Sequence, residues 1–214
     1  MRRLASIVFL SLALLPLAGQ SRTIADLFAS EPGNIFALLT RTNRLDMVDY
    51  YNSGQAVSIE NNLAGDSELL ELDSAYLKLR ASEGKVVELL MMTAGRNDTV
   101  IAVIQTVKTP VPDSRISFWN PQWQLYVKPS TFFKMPGIEN FITGKMPREM
   151  RADLSDAMIF PLIELTFTGE RHDVLKATHG LERFLASQEY QRFAPYLKPS
   201  ISYRVNGVKI KPIK

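Results

Sequence analysis

The stretch KVVELLMMTAGRNDTVIAVIQTVK, residues Lys85–Lys108, contains two apolar runs separated by the turn-like residues Gly95–Asp98. Each run, Val86–Ala94 and Thr99–Val107, has the length of a strand and is too short for a helix pair. The second run is rich in β-branched residues, which favour a pleated surface. Apolar side chains occupy both alternating sets of positions. The sequence therefore predicts a central hairpin covered on both faces, with no polar constellation inside its strands.

The N-terminus has the pattern of a cleaved secretory signal. Arg2-Arg3 is a short basic region, Leu4–Leu17 is apolar, and the small residues Ala18-Gly19 follow. A membrane-spanning helix needs about 20 apolar residues, which is more than this run provides. A lipoprotein anchor is excluded because the region lacks cysteine. The sequence predicts a signal peptide at residues 1–20 and a mature chain, 21–214, that forms one domain without a membrane span.

The predicted mature chain is almost neutral. Removing residues 1–20 takes away two Arg, which lowers Lys plus Arg from 25 to 23 against 22 Asp plus Glu. The sequence pI of 9.1 thus owes much to the signal, and overall basicity gives no argument for a nucleic-acid partner. The absence of cysteine excludes disulfides, cysteine nucleophiles, thiolate zinc sites and iron–sulfur clusters. We expect no cofactor.

Helices are predicted near the N-terminus and in a later layer. The first part of the chain indicates helices at Asn34–Thr40 and at Arg44–Tyr51, the second with Asn43 as its N-cap. Residues 57–133 alternate in the manner of strands. Among them, Ile116 and Phe118 begin a strand whose predicted partner contains Trp123, Leu125 and Val127. Residues 129–158 indicate a helical layer.

The C-terminal part returns to strand character. A strand is predicted at Phe160–Thr168, and Ser187 is the expected cap of a short helix. The pair Asn206-Gly207 between alternating strands indicates a type I′ hairpin. The cationic residues in and beside this hairpin are typical of a solubilising sheet edge: Lys198, Arg204, Lys209, Lys211 and Lys214.

Together these elements predict an α+β fold. We expect a largely antiparallel sheet around the central hairpin, with the N-terminal helices and residues 138–158 packed on it. The alternative is a tandem helix-plus-β-meander repeat. It is indicated by the similarity between Ser114–Phe118 and Pro199–Tyr203.

Few residues suggest catalysis. His172 and His179 are the only histidines, and their spacing in a strand places them on opposite faces, so we interpret both as surface or turn residues and expect no metal site. Asp46 and Asp49 lie three apart on one predicted helix and are the weak candidate for an acid/base pair. The simpler interpretation places Asp46 at the helix start and Asp49 on a solvated face. The sequence has no nucleophile elbow, P-loop or dinucleotide fingerprint.

The strongest binding candidate is the aromatic stretch from Phe118 to Phe133. Trp119, Trp123 and Tyr126, beside Asn and Gln, have the character of residues that stack on a sugar ring or anchor a partner protein. Packing of the two tryptophans on each other or on a covering helix is the alternative interpretation.

Two motifs carry a resemblance to a known family. Leu38–Tyr51, LLTRTNRLDMVDYY, and Pro112–Trp119, PDSRISFW followed by Trp123, resemble the signature of an uncharacterised family of exported proteins from Bacteroides-type (Bacteroidales) bacteria. The resemblance covers nearly all of the mature chain. It implies an exported, Gram-negative setting and supplies no activity or site residue.

These observations lead to two hypotheses about function. The favoured one is a non-catalytic binding module of the periplasm or cell surface, which recognises an envelope protein, peptide or glycan. The alternative is a secreted hydrolase that uses a carboxylate pair. The scarcity of histidine and the absence of any catalytic motif favour the first.

Overall fold

The computed structural model describes residues 22–55, 57–95, 98–108, 110–157 and 162–213. The predicted signal peptide lies outside these residues. The helices are α1 (Ile24–Ser30), α2 (Arg41–Asn52), α3 (Arg148–Ala157), α4 (Leu181–Phe184) and α5 (Ser187–Phe193). The strands are β1 (Ser58–Glu60), β2 (Asp66–Leu72), β3 (Tyr76–Ser82), β4 (Lys85–Ala94), β5 (Asp98–Val107), β6 (Asp113–Trp119), β7 (Ile163–Thr168), β8 (Val174–His179), β9 (Ser200–Asn206) and β10 (Lys209–Pro212).

The strands form two antiparallel meanders. Sheet A contains β1 to β6 in sequence order, and sheet B contains β7 to β10 in sequence order. The predicted central hairpin is β4–β5, whose pairing runs from Lys85 opposite Val107 to Ala94 opposite Asp98. The α+β class with antiparallel sheets is confirmed.

The internal sequence similarity does not mark equivalent positions. Ser114–Phe118 lies in β6, which is the last strand of sheet A, whereas Pro199–Tyr203 leads into β9, which lies between β8 and β10. A duplicated unit would place the two segments at matching positions of their sheets. The tandem-repeat alternative therefore gains no support from this similarity.

Both faces of sheet A are buried, as the central hairpin predicted. Helices α1 and α2 cover one face, where Leu27 and Met47 pack on residues such as Val87 and Ile101. Sheet B and the segments around it cover the other face. The apolar core between the two sheets includes side chains of both sheets, of the segment between β6 and β7, and of α5: Leu90, Ala102, Phe118, Phe141, Leu165, Leu175 and Phe193. The second cover is therefore mainly a sheet, because residues 129–158 supply few helical turns.

Strand β7 is an edge strand of sheet B whose free backbone groups bind side chains of sheet A. The N–H of Ile163 donates to Asp113 Oδ1 at 3.1 Å, and the N–H of Leu165 donates to Ser114 Oγ at 2.9 Å. The N–H of Phe167 donates to the carboxylate of Glu88 at 2.9 Å. An unpaired strand edge favours association with other chains. Here the side chains of sheet A accept the hydrogen bonds that the edge of β7 would otherwise offer to another strand.

The predicted helix at Asn34–Thr40 is wrong, because a buried carboxylate binds its backbone. Glu31 accepts hydrogen bonds from the N–H groups of residues 33, 34, 35 and 36 at 2.8, 2.7, 2.9 and 3.4 Å. The chain therefore forms bends and turns there. The next helix begins earlier than predicted: Thr40 is its N-cap, and Asn43 closes the capping box from the third position.

Two other local predictions need correction. The described part of the predicted helical layer, residues 129–157, has as helical elements only α3 and the 3₁₀ turns Pro129–Thr131 and Ile138–Asn140, since prolines at 129, 136 and 147 interrupt the helical pattern. In the C-terminal hairpin Asn206 pairs with Lys209, so the loop residues are Gly207 and Val208. Gly207 has φ +60° and Val208 has no positive φ, which fits a II′ turn instead of I′.

Candidate binding site

The chain turns sharply after β6 around the side chain of Asn120. Its Oδ1 accepts hydrogen bonds from the backbone N–H groups of Gln122 at 3.0 Å and Gln124 at 2.9 Å. The Asn120 amide also donates to the Gln124 side chain at 2.9 Å. Asparagine suits such a turn because its short amide replaces backbone partners. We call residues 119–127 the aromatic turn.

Trp123 is a core residue with an unusual backbone. It has φ +60°, a left-handed conformation that costs a bulky residue roughly 1–3 kcal/mol. Its ring is only 7% exposed, and its indole N–H donates to the carbonyl of Leu27 at 3.1 Å. The predicted partner strand through Trp123 is therefore wrong: only Leu125 pairs with β6, in a single bridge to Trp119. Of the two interpretations of Trp123, its buried position matches core packing.

The other two aromatic candidates remain accessible in part. Trp119 is half-buried, packs edge-on to Trp123 with ring centroids 6.1 Å apart, and donates from its indole to Ser117 Oγ at 2.9 Å. Tyr126 is 37% exposed, and its ring packs on Phe132 with the ring centroids 4.9 Å apart. Because Tyr126 is the neighbour of Leu125, it points to the side opposite to Trp119. The three predicted residues are thus close in space but do not share one exposed surface.

The exposed apolar side chains of the turn include two that the sequence interpretation did not select. Leu125 is 48% exposed and Val127 is 88% exposed. Because Leu125 pairs with Trp119, the side chain of Leu125 lies on the same side of the sheet as that tryptophan. The signal in the sequence is the alternation of apolar residues at 123, 125 and 127, which predicts an ordinary paired strand just as well.

A cleft of about 370 Å³ adjoins the aromatic turn. The turn contributes Pro121 and Gln122, and Arg22 donates to the carbonyl of Pro121 at 2.9 Å. The tip of the central hairpin supplies the opposite wall, which includes Met91 and the directly paired Thr93 and Thr99. The lining of the cleft combines apolar side chains with hydroxyl, amide and guanidinium groups.

The candidate acid/base pair lies away from these features. Asp46 and Asp49 are both exposed on the outward side of α2, beside the exposed residues Leu45 and Tyr50. A carboxylate pair that acts as acid and base needs an enclosed setting that separates the two pKa values. The helix surface around these residues does not provide one.

The motif Leu38–Tyr51 contains a buried ion pair instead. Arg44 is 3% exposed and lies 3.6 Å from the carboxylate of Glu31, which is 2% exposed. The guanidinium also donates to the carbonyls of Leu39 and Ala29, at 3.3 and 3.4 Å. This arrangement joins α1, the following loop and α2, so the motif has a structural explanation.

Both histidines are buried, which corrects their interpretation as surface residues. His172 lies in the β7–β8 turn at φ +52°, and its ring stacks on Tyr76 at 3.6 Å. Its Nε2 lies 3.1 Å from Glu71 Oε1 and 3.3 Å from Asp73 Oδ2, so this turn of sheet B contacts the β2–β3 turn of sheet A. Position in a turn was predicted correctly, whereas burial depends on contacts distant in sequence.

His179 faces the core. It pairs with Ile163 across the sheet and packs edge-on to Phe141 at 5.3 Å. Burial lowers the pKa of His179 below its ordinary value of 6.5. Neither ring nitrogen has a hydrogen-bond partner among the residues described. An imidazole in this position is held in its neutral form.

A second polar network contradicts the expectation that the hairpin strands carry no polar constellation. Glu88 in β4 is 3% exposed and accepts hydrogen bonds from the Tyr76 hydroxyl, the Thr166 hydroxyl and the Phe167 N–H, each at 2.9 Å. Lys78 Nζ lies 3.4 Å away. Glu88 stood out in the sequence as the one charged residue inside the first apolar run, which was its only signal.

Two kinds of feature are absent from the described part of the chain: clusters of metal-ligating side chains and helices that could span a membrane. Across residues 22–213, apart from the gaps given above, no three His, Asp or Glu side chains are placed to hold a metal ion. The same residues contain no helix with the length and apolar character needed to cross a membrane.

Comparisons with known proteins place the chain in a family. No curated protein matches it. A solved structure, a domain of an uncharacterized protein from Porphyromonas gingivalis, is similar with a TM-score of 0.78 and 22% identity over 89% of this chain and 97% of that chain. At this identity the similarity shows the fold alone. A family model described as a protein of unknown function, DUF3256, matches residues 17–210, and the chain belongs to this family.

Proposed function

We propose that the protein is an exported, non-catalytic binding module of the cell envelope that binds an extended segment of a partner protein at Leu125–Val127. The observation that carries the proposal is the exposure of three consecutive apolar side chains. Leu125 is 48%, Tyr126 37% and Val127 88% exposed. Apolar residues exposed singly are normal on any protein. Here Leu125, which pairs with the half-buried Trp119, and the almost fully exposed Val127 leave apolar surface open on one short segment.

The backbone of this segment supports recognition of an extended chain. The carbonyl of Gln124 accepts from Asn120 at 3.0 Å, and the N–H of Tyr126 donates to Phe118 at 2.9 Å. Backbone groups alternate in direction along an extended chain, so the N–H group of Leu125, which lies between these two residues, points away from β6. Neither this group nor the N–H of Val127 donates to another described residue. A partner strand added here would satisfy them, as in β-augmentation.

The charge near the segment favours one kind of partner. Arg22 lies against the turn through its hydrogen bond to Pro121, and Lys128 follows Val127 directly; both cations are exposed. Electrostatic complementarity contributes mainly to specificity and association rate. The proposed ligand is therefore an extended polypeptide with alternating apolar residues and at least one neighbouring acidic residue.

The test uses the mature chain and a double variant, Leu125→Ser with Val127→Ser. A partner captured from envelope extract is purified and titrated calorimetrically against both proteins. We expect the double variant to bind about tenfold or more weakly, because both apolar contacts are lost. We also expect the partner to slow amide hydrogen exchange at Leu125 and Val127 in the wild-type chain.

The matched control is Leu63→Ser, which removes a different apolar side chain that is 76% exposed. This variant is expected to bind with wild-type affinity. Equal binding by the wild-type chain and the double variant, or unchanged exchange at positions 125 and 127, contradicts the proposal.

The export part of the proposal has its own test. Full-length protein and a version lacking residues 1–20 are produced in a Gram-negative host and followed by cell fractionation and N-terminal sequencing. We expect shortened protein in the periplasm or at the surface only for the full-length chain. Retention of uncleaved full-length protein inside the cell contradicts export.

A further inference from the structure

Four cationic side chains lie on the face of sheet B that points away from the core. In β8, β9 and β10 the alternate residues Leu175, Tyr203 and Ile210 point inward. The positions between them point outward, since side chains alternate along a strand. We call four of these outward residues, all exposed, the basic face: Lys176, Arg204, Lys209 and Lys211.

The strand register brings these charges close together. Arg204 lies directly opposite Lys211, and Lys176 lies opposite Ser202, two residues from Arg204. Directly opposed side chains in antiparallel strands have Cβ atoms about 4.5–5.5 Å apart, and like charges at such positions destabilise the sheet. The Arg204–Lys211 pair thus places two like charges side by side on this face.

Acidic residues compensate only part of this charge. Asp173 Oδ2 accepts from Arg204 at 2.7 Å. Among the residues that the structure describes, Lys176, Lys209 and Lys211 have no ion pair. Three cations on adjacent strands therefore face solvent without a partner.

We propose that the basic face binds an acidic polysaccharide. Carboxylate or sulfate groups repeated along a sugar chain complement cations that are repeated across neighbouring strands. The hydroxyl groups of Thr178, Ser200 and Ser202, at outward positions beside the cations, supply hydrogen bonds of the kind that sugars accept and donate. The basic face shares no residue with the aromatic turn, and the proposal stands or falls independently of the proposed function.

The composition of the face favours a polysaccharide over two other polyanions. The outward positions of β8, β9 and β10 are all described and carry no aromatic side chain on which a nucleic-acid base would stack. Their only apolar residue is Val174, which is half-buried, so the face has no side chain to insert into a lipid surface.

The test compares polygalacturonate with the neutral polymer dextran, using the mature chain and calorimetry at about 50 mM salt. We expect binding to polygalacturonate alone, and loss of that binding at about 500 mM salt, where exposed charges are screened. The variant Lys176→Glu with Lys211→Glu should bind about tenfold or more weakly. It should fold normally, because Lys211→Glu places a carboxylate opposite Arg204.

The control variant, Lys145→Glu with Arg148→Glu, changes two exposed cations elsewhere by the same total charge. We expect it to bind polygalacturonate clearly more tightly than the Lys176→Glu, Lys211→Glu variant, because the charges that it changes are not part of the basic face. The proposal is overturned by an absence of polygalacturonate binding at low salt or by an equal loss in both double variants. Tighter binding to single-stranded DNA or to anionic phosphatidylglycerol vesicles than to polygalacturonate also overturns it.

Discussion

Replacement of Glu88 by alanine is expected to be among the most destabilising changes in this protein. The carboxylate is 3% exposed and accepts three hydrogen bonds at 2.9 Å, from the Tyr76 hydroxyl, the Thr166 hydroxyl and the N–H of Phe167. Two of these donors belong to β7, so Glu88 fixes the edge of sheet B against sheet A. Burial raises the pKa of Tyr76, so its hydroxyl remains a donor at all ordinary pH values.

The magnitude follows from what alanine leaves behind. A hydrogen bond to a charged group contributes about 1.5–3 kcal/mol, and a buried donor without an acceptor loses that contribution. Removal of one member of a buried charged network costs about 3–5 kcal/mol in measured cases. Because the three bonds are not additive, we expect Glu88→Ala to lower the free energy of unfolding by about 4 kcal/mol. Glu88→Gln keeps one acceptor oxygen and should cost about 1–3 kcal/mol.

Urea unfolding of the mature chain, followed by circular dichroism, measures these differences. Glu83→Ala is the matched control, because Glu83 is exposed in the turn before the same strand. It should change stability by less than about 0.5 kcal/mol. A loss below about 1 kcal/mol for Glu88→Ala, or a loss equal to that of the control, would refute the reasoning.

Three other changes test the remaining contacts. Trp123→Ala should lower the free energy of unfolding by about 3–5 kcal/mol in urea titration, because the ring fills the core and binds Leu27; wild-type stability would contradict a core role. Arg44→Ala should cost about 3–5 kcal/mol by the same assay, since it leaves the buried carboxylate of Glu31 without its cation, and a neutral effect would show that the backbone donors suffice. Burial lowers the pKa of His179 from its ordinary 6.5, so the unfolded chain binds the proton more readily than the folded chain. The free energy of unfolding should therefore fall as the pH decreases below about 6.5, by at most about 1.4 kcal/mol per pH unit. His179→Leu should flatten this slope in unfolding curves measured from pH 7 to pH 5, and an unchanged slope would contradict the assignment.

Local pattern was sufficient where neighbours in sequence decide the structure. The central hairpin β4–β5, with its β-branched second strand, and the C-terminal hairpin both follow from alternation and turn residues. The same reasoning failed at residues 34–40, because a single carboxylate, Glu31, competes for the backbone donors that a helix would use. It also placed the C-terminal loop one residue too early, since Asn206 still pairs within the ladder.

The candidate site could be predicted only in part. The sequence indicated the region of Trp119, Trp123 and Tyr126, but aromatic residues serve cores and surfaces equally well. Only tertiary structure separates Trp123, whose indole binds Leu27 across 96 positions of the chain, from Leu125 and Val127, which remain exposed. The separation depends on where α1 packs, and no local pattern contains that information.

The sequence by itself determined the α+β class, the antiparallel hairpins and the apolar strands that must be buried on both faces. Periodicity carries this information because each side chain's direction is set by its own backbone. Tertiary structure decided which polar groups meet. Glu88 and Phe167 lie 79 residues apart, yet the carboxylate of one satisfies the backbone of the other. Such pairs form only when the two sheets pack, because only then does the cost of burying an unpaired polar group select its partner.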